Sequence, residues 1–542
     1  MIANVARFLG TSQDMVVGWN VSVDSVAFDE EGIKAKLLAL EQPCYVVRDG
    51  QRIGLSNEAS WETSGKPSLE TLAYVPPLPI AQLGDADFRR VYGTQYAYYT
   101  GSMANAIASE EMVIALGKDG FLGSFGAGGL IPSRIEEAIT RIQQALPQGP
   151  YAFNLIHSPS EPALEKGAVD LFLTHGVRSI EAAAFMDLSP SIVRYRVAGL
   201  SLNAQNEIET KNRIIAKISR KEVATKFLEP APQRILQQLL EQKLITEQQA
   251  NLSQKIPMAD DITVEADSAG HTDNRPLVAL VPSIIALRDE IQEKCKYDQL
   301  VRVGAGGGIG TSSAALAAFM MGAAYVVTGS INQACVEAGT SEYSKNLLAQ
   351  VDMADVTMAP AADMFEMGVK LQVIKRGTRF AMRAQNLYDM YTRYNSIEEI
   401  TPKEKEKLEQ QIFKDSLESV WENTKDYFSK RDPRQIEKAV DSPKRKMALI
   451  FRSYLGLASY WSITGEPDRE MDYQIWCGPA MGAFNAWVKG SYLADVNNRK
   501  VADVARHILT GAAFAYRVQG LRIQGVQFPP ALSEYHPQPP RV

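Results

Sequence analysis

From about residue 95, short runs of apolar and β-branched residues alternate with longer stretches of helical periodicity. Such alternation is typical of a parallel sheet in which a helix follows each strand. The runs that we predict as strands are 96–101, 121–125, 151–156, 177–181, 213–218, 262–266, 301–305 and 325–329. Because eight such units close into a (β/α)8 TIM barrel, the pattern predicts an α/β protein of this fold.

A different pattern precedes the barrel. Residues 44–55 have a β-hairpin pattern with Asp49-Gly50, a dipeptide that favours a hairpin turn, between the two strands. We therefore predict a small β-containing N-terminal module at residues 1–90 and the barrel at residues 91–390.

After the barrel, helical patterns take over. Thr401 is suited to cap a helix, Pro402 to occupy its first position, and Glu404 to complete the capping pattern. Apolar residues then recur at helical spacing through residues 408–428, which predicts one amphipathic helix. The region 391–542 is accordingly predicted to be helical and to pack on the barrel.

Residues 229–257 interrupt the alternation between the fifth and sixth predicted strands. The segment is polar and helical, with a capping pattern at Thr246 and Gln249. It is longer than a simple barrel loop. We predict a helical insertion near the barrel mouth, serving as a lid, as a docking surface or as plain structural elaboration.

Two successive strand ends are rich in glycine. The seventh predicted strand runs into the cluster at 304–310, and the eighth ends at Gly329 and Ser330. A dinucleotide site requires a third glycine where Ile309 stands and an acid at the end of the second strand, so the pattern excludes it. Glycines also serve tight turns that bind nothing. However, the last two strand–helix turns of a TIM barrel often form a phosphate site, which we predict here.

Composition narrows the class of protein. The chain has 542 residues, of which 45% are hydrophobic, and a formal net charge of −6. A negative balance disfavours nucleic acid or an anionic membrane as the main partner. The first residues contain no apolar segment of signal-peptide length, and no apolar run is long enough to span a bilayer. We therefore expect a soluble, cytoplasmic protein.

Cysteine and histidine usage favours no metal site. The four cysteines lie far apart without a C-x-x-C pair, and the five histidines show no ligand spacing on one helix face. Free thiols and the absence of a structural or catalytic metal are the expectation.

Several motifs resemble the nitronate monooxygenase and FMN-dependent enoyl reductase superfamily. They lie at residues 101–105, 126–130, 153–155, 264–271, 304–310, 326–330 and 475–485. Over almost the whole chain, the sequence is similar to the trans-acting enoyl reductase subunits of polyunsaturated fatty acid and polyketide synthases. The last motif, with its helical surroundings, points to this synthase-associated subfamily.

The resemblance implies that FMN lies across the barrel mouth. The cofactor-binding residues that it implies are Gly101, Met103, Asn154, Lys217, Gly306, Gly307, Gly308, Gly329 and Ser330. The last five would hold the phosphate and the first three would lie near the flavin ring or ribityl chain. Lys217 would approach the pyrimidine edge, where a cation stabilises the reduced anionic flavin.

His271 matches the active-site histidine of the superfamily. Relatives usually carry Gly-Gly-His, whereas Ser268, Ala269 and Gly270 precede the histidine here, so the local geometry can differ. The resemblance implies that His271 is catalytic, as a proton donor near neutral pH. A histidine that only packs on the flavin is the alternative.

The implied reaction transfers hydride from NADPH to flavin and then to the β-carbon of a 2-enoyl thioester, with a proton from His271 or water reaching the α-carbon. The implied partners are the acyl carrier protein domains of a multidomain synthase, and a homodimer is a possible assembly. A nitronate monooxygenase-like flavin oxygenase and a non-catalytic carrier-binding protein remain as alternatives.

Overall fold

A computed structural model describes residues 18–62, 69–158 and 162–539 of the chain. The expectation that no signal peptide is present concerns the first residues of the chain. Residues 1–17 lie outside the described residues.

Internal contacts divide the chain into two units. The first comprises residues 1–83 and 509–536, and the second comprises residues 84–508 and 537–542. The three-part division at residues 90 and 390 stays a prediction.

The first unit contains two small antiparallel sheets. Its elements before residue 83 are β1 (Gly18–Asn20), α1 (Glu30–Leu38), β2 (Cys44–Asp49), β3 (Arg52–Ser56), β4 (Ser60–Glu62) and β5 (Glu70–Val75). One sheet pairs β1 with β4, and the other has the order β3-β2-β5. The predicted hairpin is confirmed, with Asp49 opposite Arg52 and with Gly50 at a φ of 61°.

A buried arginine ties the end of α1 to the C-terminal part of the same unit. The Arg517 guanidinium, from a residue only 1% exposed, donates to the main-chain carbonyls of Leu37, Ala39 and Leu40. The last carbonyls of a helix have no partner within the helix. Arg517 therefore provides a donor to the carbonyl of Leu37 and a second donor to the carbonyls of Ala39 and Leu40, which also accept from the main-chain N–H groups of Gln42 and Leu78.

The second unit is built around a closed parallel barrel. Its strands are β6 (Tyr98–Thr100), β7 (Leu122–Phe125), β8 (Ala152–Ile156), β9 (Ser179–Ala183), β12 (Arg213–Ile218), β13 (Asp261–Glu265), β14 (Arg302–Gly306) and β15 (Val326–Thr328), while β10 (Leu200–Leu202) and β11 (Ile208–Thr210) form a separate hairpin. The barrel strands pair in chain order and β15 closes on β6. All eight predicted strands and the TIM barrel fold are confirmed.

Helices surround the barrel and continue beyond it. Those up to β15 are α2 (Ala86–Tyr92), α3 (Glu110–Lys118), α4 (Pro132–Ala145), α5 (Pro162–Thr174), α6 (Pro190–Ala198), α7 (Lys221–Leu228), α8 (Gln233–Glu241), α9 (Glu247–Ser253), α10 (Leu277–Cys295) and α11 (Ser312–Met320). The predicted capping box at the start of α9 is confirmed, because Thr246 and Gln249 exchange both hydrogen bonds.

A helical region with one hairpin follows the barrel. Its elements are α12 (Glu342–Leu348), β16 (Val356–Pro360), β17 (Lys370–Ile374), α13 (Phe380–Arg393), α14 (Pro402–Lys407), α15 (Leu417–Arg431), α16 (Arg434–Val440), α17 (Pro443–Thr464), α18 (Ala480–Val488), α19 (Val501–Ile523) and α20 (Pro530–Ser533). A core that includes Val373, Leu387, Phe413 and Phe451 joins β17 to α13, to the segment that follows α14 and to α17. Burial of such apolar side chains holds the hairpin and the helices together.

The single amphipathic helix predicted over 408–428 is wrong. Thr401 caps α14 as expected, but a π-helical segment Leu408–Phe413 follows and the helix then ends. The chain reverses at Lys414, which adopts a φ of 57°, and Ser416 caps the start of α15. Apolar spacing alone did not reveal this interruption, because the buried residues on both sides face the same core.

No helix in the described part of the chain is long and apolar enough to cross a membrane. The four cysteines are free, and Cys44, Cys335 and Cys477 are buried.

Candidate active site at the barrel mouth

The carboxyl ends of the barrel strands open into a cavity of about 1960 Å³ within the second unit. Active sites of TIM barrels lie at this end of the strands. The predicted site residues that line it are Gly101, Met103, Asn154, Lys217, His271, Gly306, Gly307, Gly308, Gly329 and Ser330. The structure thus brings all of them into one cavity, and their individual roles stay predictions.

The glycine turn after β14 has a geometry that other residues would disturb. Gly307 and Gly308 adopt φ values of 82° and 73°. A Cβ at Gly307 would lie 2.7 Å from main-chain atoms of Ala266, whereas Cβ atoms at Gly308 and Gly329 would meet no atom within 4 Å. Gly307 therefore allows close contact between neighbouring turns, and Gly308 and Gly329 leave open space at adjacent strand ends.

The segment that precedes α18 lies against this glycine site. The main-chain N–H of Gly478 donates to Ser330 Oγ over 3.0 Å. A Cβ at Gly478 would approach the carbonyl carbon of Ser268 to 3.0 Å. The hydroxyl of Ser330 still has its own hydrogen to donate. The motif at 475–485 therefore reaches both the phosphate candidates and the loop that carries His271.

Lys217 is the centre of a charged cluster. Its Nζ lies 3.0 Å from Glu265 Oε1 and 3.4 Å from Glu181 Oε1. Burial favours the neutral amine, but the Glu265 and Glu181 carboxylates outweigh it and raise the pKa of Lys217 above its ordinary value. The Glu181 side chain is fully buried, and its Oε2 accepts from the main-chain N–H of Ser102 over 2.8 Å. Lys217 is therefore a cation held between carboxylates of the two neighbouring strands.

The two glutamates are site residues that sequence reasoning missed in this role. Glu181 is the middle residue of β9 and Glu265 is the last residue of β13, and these two strands lie on either side of β12, which carries Lys217. Carboxylates on the strands adjacent to a strand-end lysine were the available signal, because side chains of adjacent strands lie close together in a barrel.

Asn154 presents an unsatisfied acceptor in the cavity. Its Nδ2 donates to the main-chain carbonyl of Glu181 over 3.3 Å. Its Oδ1 is buried and has no hydrogen-bond partner among the described residues. Because a buried acceptor without a partner is costly, this atom suits a ligand that brings an O–H or N–H donor.

His271 lies at the rim of the cavity, with its side chain 38% exposed. Its Nε2 is 3.2 Å from Asp363 Oδ1 in the loop between β16 and β17. Partial desolvation favours the neutral ring, but the Asp363 carboxylate outweighs it and raises the pKa of His271 above its ordinary value. Asp363 is distant in sequence and belongs to no motif, so no sequence signal identified it.

The loop that carries His271 is held at both ends. Gly270 and Gln372 exchange main-chain hydrogen bonds, which join the loop to β17. Asp273 forms two hydrogen bonds with the Arg220 guanidinium, which lowers the pKa of Asp273 to about 2. The position of His271 therefore depends on the hairpin beyond the barrel as well as on the barrel.

The insertion predicted near the mouth lies elsewhere. None of residues 229–257 lines the cavity. Helix α7 has already returned the chain to the amino-terminal side of the barrel, where the Arg196 guanidinium donates to the carbonyl of Pro257 and to Asp260. Asp260 precedes β13 directly. The expectation of a lid or docking surface at the mouth is therefore wrong for this segment.

Helices α15 and α17 complete the wall of the cavity instead. They contribute Val420, Tyr427, Phe428, Gly456, Leu457 and Tyr460. The cavity thus extends from the strand ends of the barrel into the helical region.

Two segments match known protein families. Residues 19–77 match the family described as the N-terminal domain of the fatty acid synthase subunit PfaD. Residues 394–473 match the inserted helical domain of [acyl-carrier-protein] S-malonyltransferase.

Longer relatives match most of the chain. It is 49% identical over 499 residues to one of the polyunsaturated fatty acid synthase proteins of Thraustochytrium sp., in a match that covers 91% of this chain and 33% of that protein. It is 47% identical to polyketide biosynthesis protein PksE of Bacillus subtilis, over 80% of this chain and 56% of that protein. The chain therefore spans about a third to about half of the length of these relatives.

A solved structure also matches most of the chain. The enoyl reductase domain of MlnA, from the macrolactin biosynthesis cluster of Bacillus amyloliquefaciens, superposes with a TM-score of 0.78 and 39% identity. The match covers 82% of this chain and 100% of that domain.

Proposed function

Because the chain belongs to the family of these synthase proteins and the MlnA enoyl reductase domain, we propose that it is a trans-acting, FMN-dependent enoyl reductase. In this proposal it reduces 2-enoyl thioesters carried on acyl carrier protein during polyunsaturated fatty acid or polyketide synthesis. The nicotinamide nucleotide NADPH is the electron source. The carrier protein domains of a multidomain synthase are the partners.

One observation carries the proposal. A single cavity at the barrel mouth combines open glycine strand ends, the buried acceptor Asn154 Oδ1 and the charged Lys217. FMN has a phosphate, a ring with N–H and carbonyl groups, and a hydroxylated chain between them. The open glycine strand ends suit the phosphate, Lys217 suits a ring carbonyl, and Asn154 Oδ1 suits an N–H of the ring or a hydroxyl of the chain. The residues present therefore fit this cofactor.

Bound FMN would supply hydride transfer between the nicotinamide and the thioester. Gly306, Gly307, Gly308, Gly329 and Ser330 would surround its phosphate, where main-chain N–H groups and a hydroxyl are suitable donors.

Lys217 would act through a hydrogen bond rather than through its overall charge. An ammonium group has three N–H donors, and its ion pairs with Glu181 and Glu265 leave at least one of them for a ligand. The two carboxylates outweigh one cation, so the cluster as a whole does not favour an anion. We propose that the third N–H donates to a carbonyl acceptor on the pyrimidine edge. Asn154 Oδ1 would accept from the ring or the ribityl chain.

His271 would deliver the proton to the α-carbon of the acyl group. Its Nε2 faces Asp363, so in the protonated ring the Nδ1–H remains for transfer. The raised pKa of His271 keeps more of the ring protonated near neutral pH than in an isolated histidine. The exposed rim position allows a substrate to approach this edge.

The test of this function is the visible spectrum of the purified protein under anaerobic conditions. We expect a flavin spectrum that bleaches on addition of NADPH and returns on addition of a 2-enoyl thioester such as crotonyl-pantetheine. A spectrum that only oxygen restores would favour the oxygenase alternative. A protein that binds no flavin after incubation with FMN would favour the non-catalytic alternative.

A second prediction concerns the pH dependence of the proton transfer. Asp363→Asn removes the carboxylate that raises the pKa of His271, so this pKa should fall. The imidazolium is then lost at lower pH, and the rate of flavin reoxidation by the enoyl thioester should decline at lower pH than in the wild type. NMR titration of the histidine Cε1 protons, together with the pH–rate profile, measures both effects.

Asp363→Glu serves as the conservative control, because it retains the negative charge and should shift the profile back towards that of the wild type. An unchanged titration of His271 in Asp363→Asn would contradict the role of Asp363. A shifted titration with an unchanged pH–rate profile would mean that His271 does not supply the proton.

A further inference from the structure

The cavity is larger than the proposed cofactor site requires. Its volume is about 1960 Å³, whereas ligand sites commonly measure roughly 300–1000 Å³. The additional space extends beyond the barrel mouth between the β16–β17 hairpin and helices α15 and α17. We call this part the helical arm and define it by Met367, Val420, Tyr427, Phe428, Gly456, Leu457 and Tyr460.

Large apolar side chains remain exposed in the helical arm. Leu457 and Tyr460 on α17 are 45% and 58% exposed, and Tyr427 on α15 is 52% exposed. Met367, in the same β16–β17 loop as Asp363, is 71% exposed. Clustered apolar surface of this kind marks a binding surface more often than isolated exposed residues do.

The two arginines that also line this region are already paired with protein groups. Arg452 donates to Glu366 over 3.2 Å. The Arg469 guanidinium lies 4.3 Å from the Trp461 ring centroid and contacts Asp472. The side chains that define the helical arm are themselves uncharged and mostly apolar, so the arm suits an apolar ligand.

We propose that the helical arm binds the acyl chain of the thioester substrate, as a linear hydrocarbon chain longer than the few carbons next to the reacting double bond. This inference rests on the proposed function, which places the thioester at the barrel mouth. The arm is continuous with that mouth, so a chain attached to the reacting carbons extends into it. A separate occupant, such as a helix of a partner or a second copy of this chain, would not need this continuity.

Gly456 allows a direct test. It lies within α17 and lines the arm, and a Cβ at this position would meet no atom within 4 Å. Gly456→Phe therefore adds a ring at a lining position where the new Cβ has space, and it replaces a residue that is unfavourable in a helix. Thr464→Phe, an exposed position on the same helix that does not line the cavity, is the matched control.

The measurement is equilibrium binding of saturated acyl-pantetheine thioesters by calorimetry, with a hexadecanoyl and a butanoyl chain. Saturated thioesters are not reduced, so the result stands even if the reductase activity is absent. Gly456→Phe should weaken binding of the hexadecanoyl thioester by at least about tenfold, because apolar chain atoms lose their buried site. Binding of the butanoyl thioester, and both affinities of Thr464→Phe, should stay unchanged.

The inference fails if Gly456→Phe leaves the long-chain affinity unchanged, or if it weakens both thioesters equally. A change of oligomeric state on size-exclusion chromatography with unchanged acyl binding would also overturn it, in favour of a second copy. Leu457→Ser provides a second variant at an exposed position, should Gly456→Phe not fold, and it should weaken long-chain binding selectively.

Discussion

Lys217→Met is expected to lower the free energy of unfolding by about 3–5 kcal/mol, the range for removing one partner of a buried ion pair. The Lys217 side chain is 17% exposed and separates the carboxylate of Glu265 from that of Glu181, which is fully buried. Without the ammonium group the two carboxylates lose their cation in a site that solvates them poorly. Urea denaturation of the cofactor-free protein measures the loss.

A double variant provides the control for Lys217. Glu181→Gln combined with Lys217→Met removes one carboxylate together with the cation, and the glutamine Oε1 can still accept from the N–H of Ser102. We expect this pair to regain a large part of the lost stability. If Lys217→Met alone is as stable as the wild type, the ion cluster does not stabilise the fold.

The barrel was predictable because its signals are local. Most of the strands are short apolar runs that end at, or are followed directly by, glycine, serine or a polar residue. The chain order of the strands is also their order in the barrel. The hairpin at Asp49 and Gly50 and the helix caps at Thr246 and Thr401 were predictable for the same reason, since a turn or cap depends on a few neighbouring residues.

The candidate site was only partly predictable from sequence. The family resemblance identified Lys217 and His271, but it assigned no role to the groups that set their charge: Glu181 and Glu265 around one, and Asp363 beside the other. These pairings join residues on different strands or loops, so they depend on the folded arrangement. The same holds for the cavity wall formed by α15 and α17, and for residues 229–257, whose helical pattern carried no information on which end of the barrel they occupy.

Gly329→Leu should weaken FMN binding by about a hundredfold, while the cofactor-free protein keeps its stability. Gly329 follows β15 with a negative φ of −140°, and a Cβ there would meet no protein atom within 4 Å. A leucine side chain would instead occupy the open space where we propose the phosphate binds. Displacing a phosphate from charge-assisted hydrogen bonds costs enough to produce an effect of this size. Fluorescence titration with FMN measures it.

Gly456→Leu is the matched control for this prediction. It also adds a leucine at a glycine that lines the same cavity and at which a Cβ would meet no atom within 4 Å. Its side chain would lie in the helical arm, so FMN affinity should stay within about twofold of the wild type. If Gly329→Leu binds FMN normally, the phosphate does not lie at the end of β15. If both variants lose FMN equally, the cofactor extends into the helical arm, and the division of the cavity between flavin and acyl chain would be wrong.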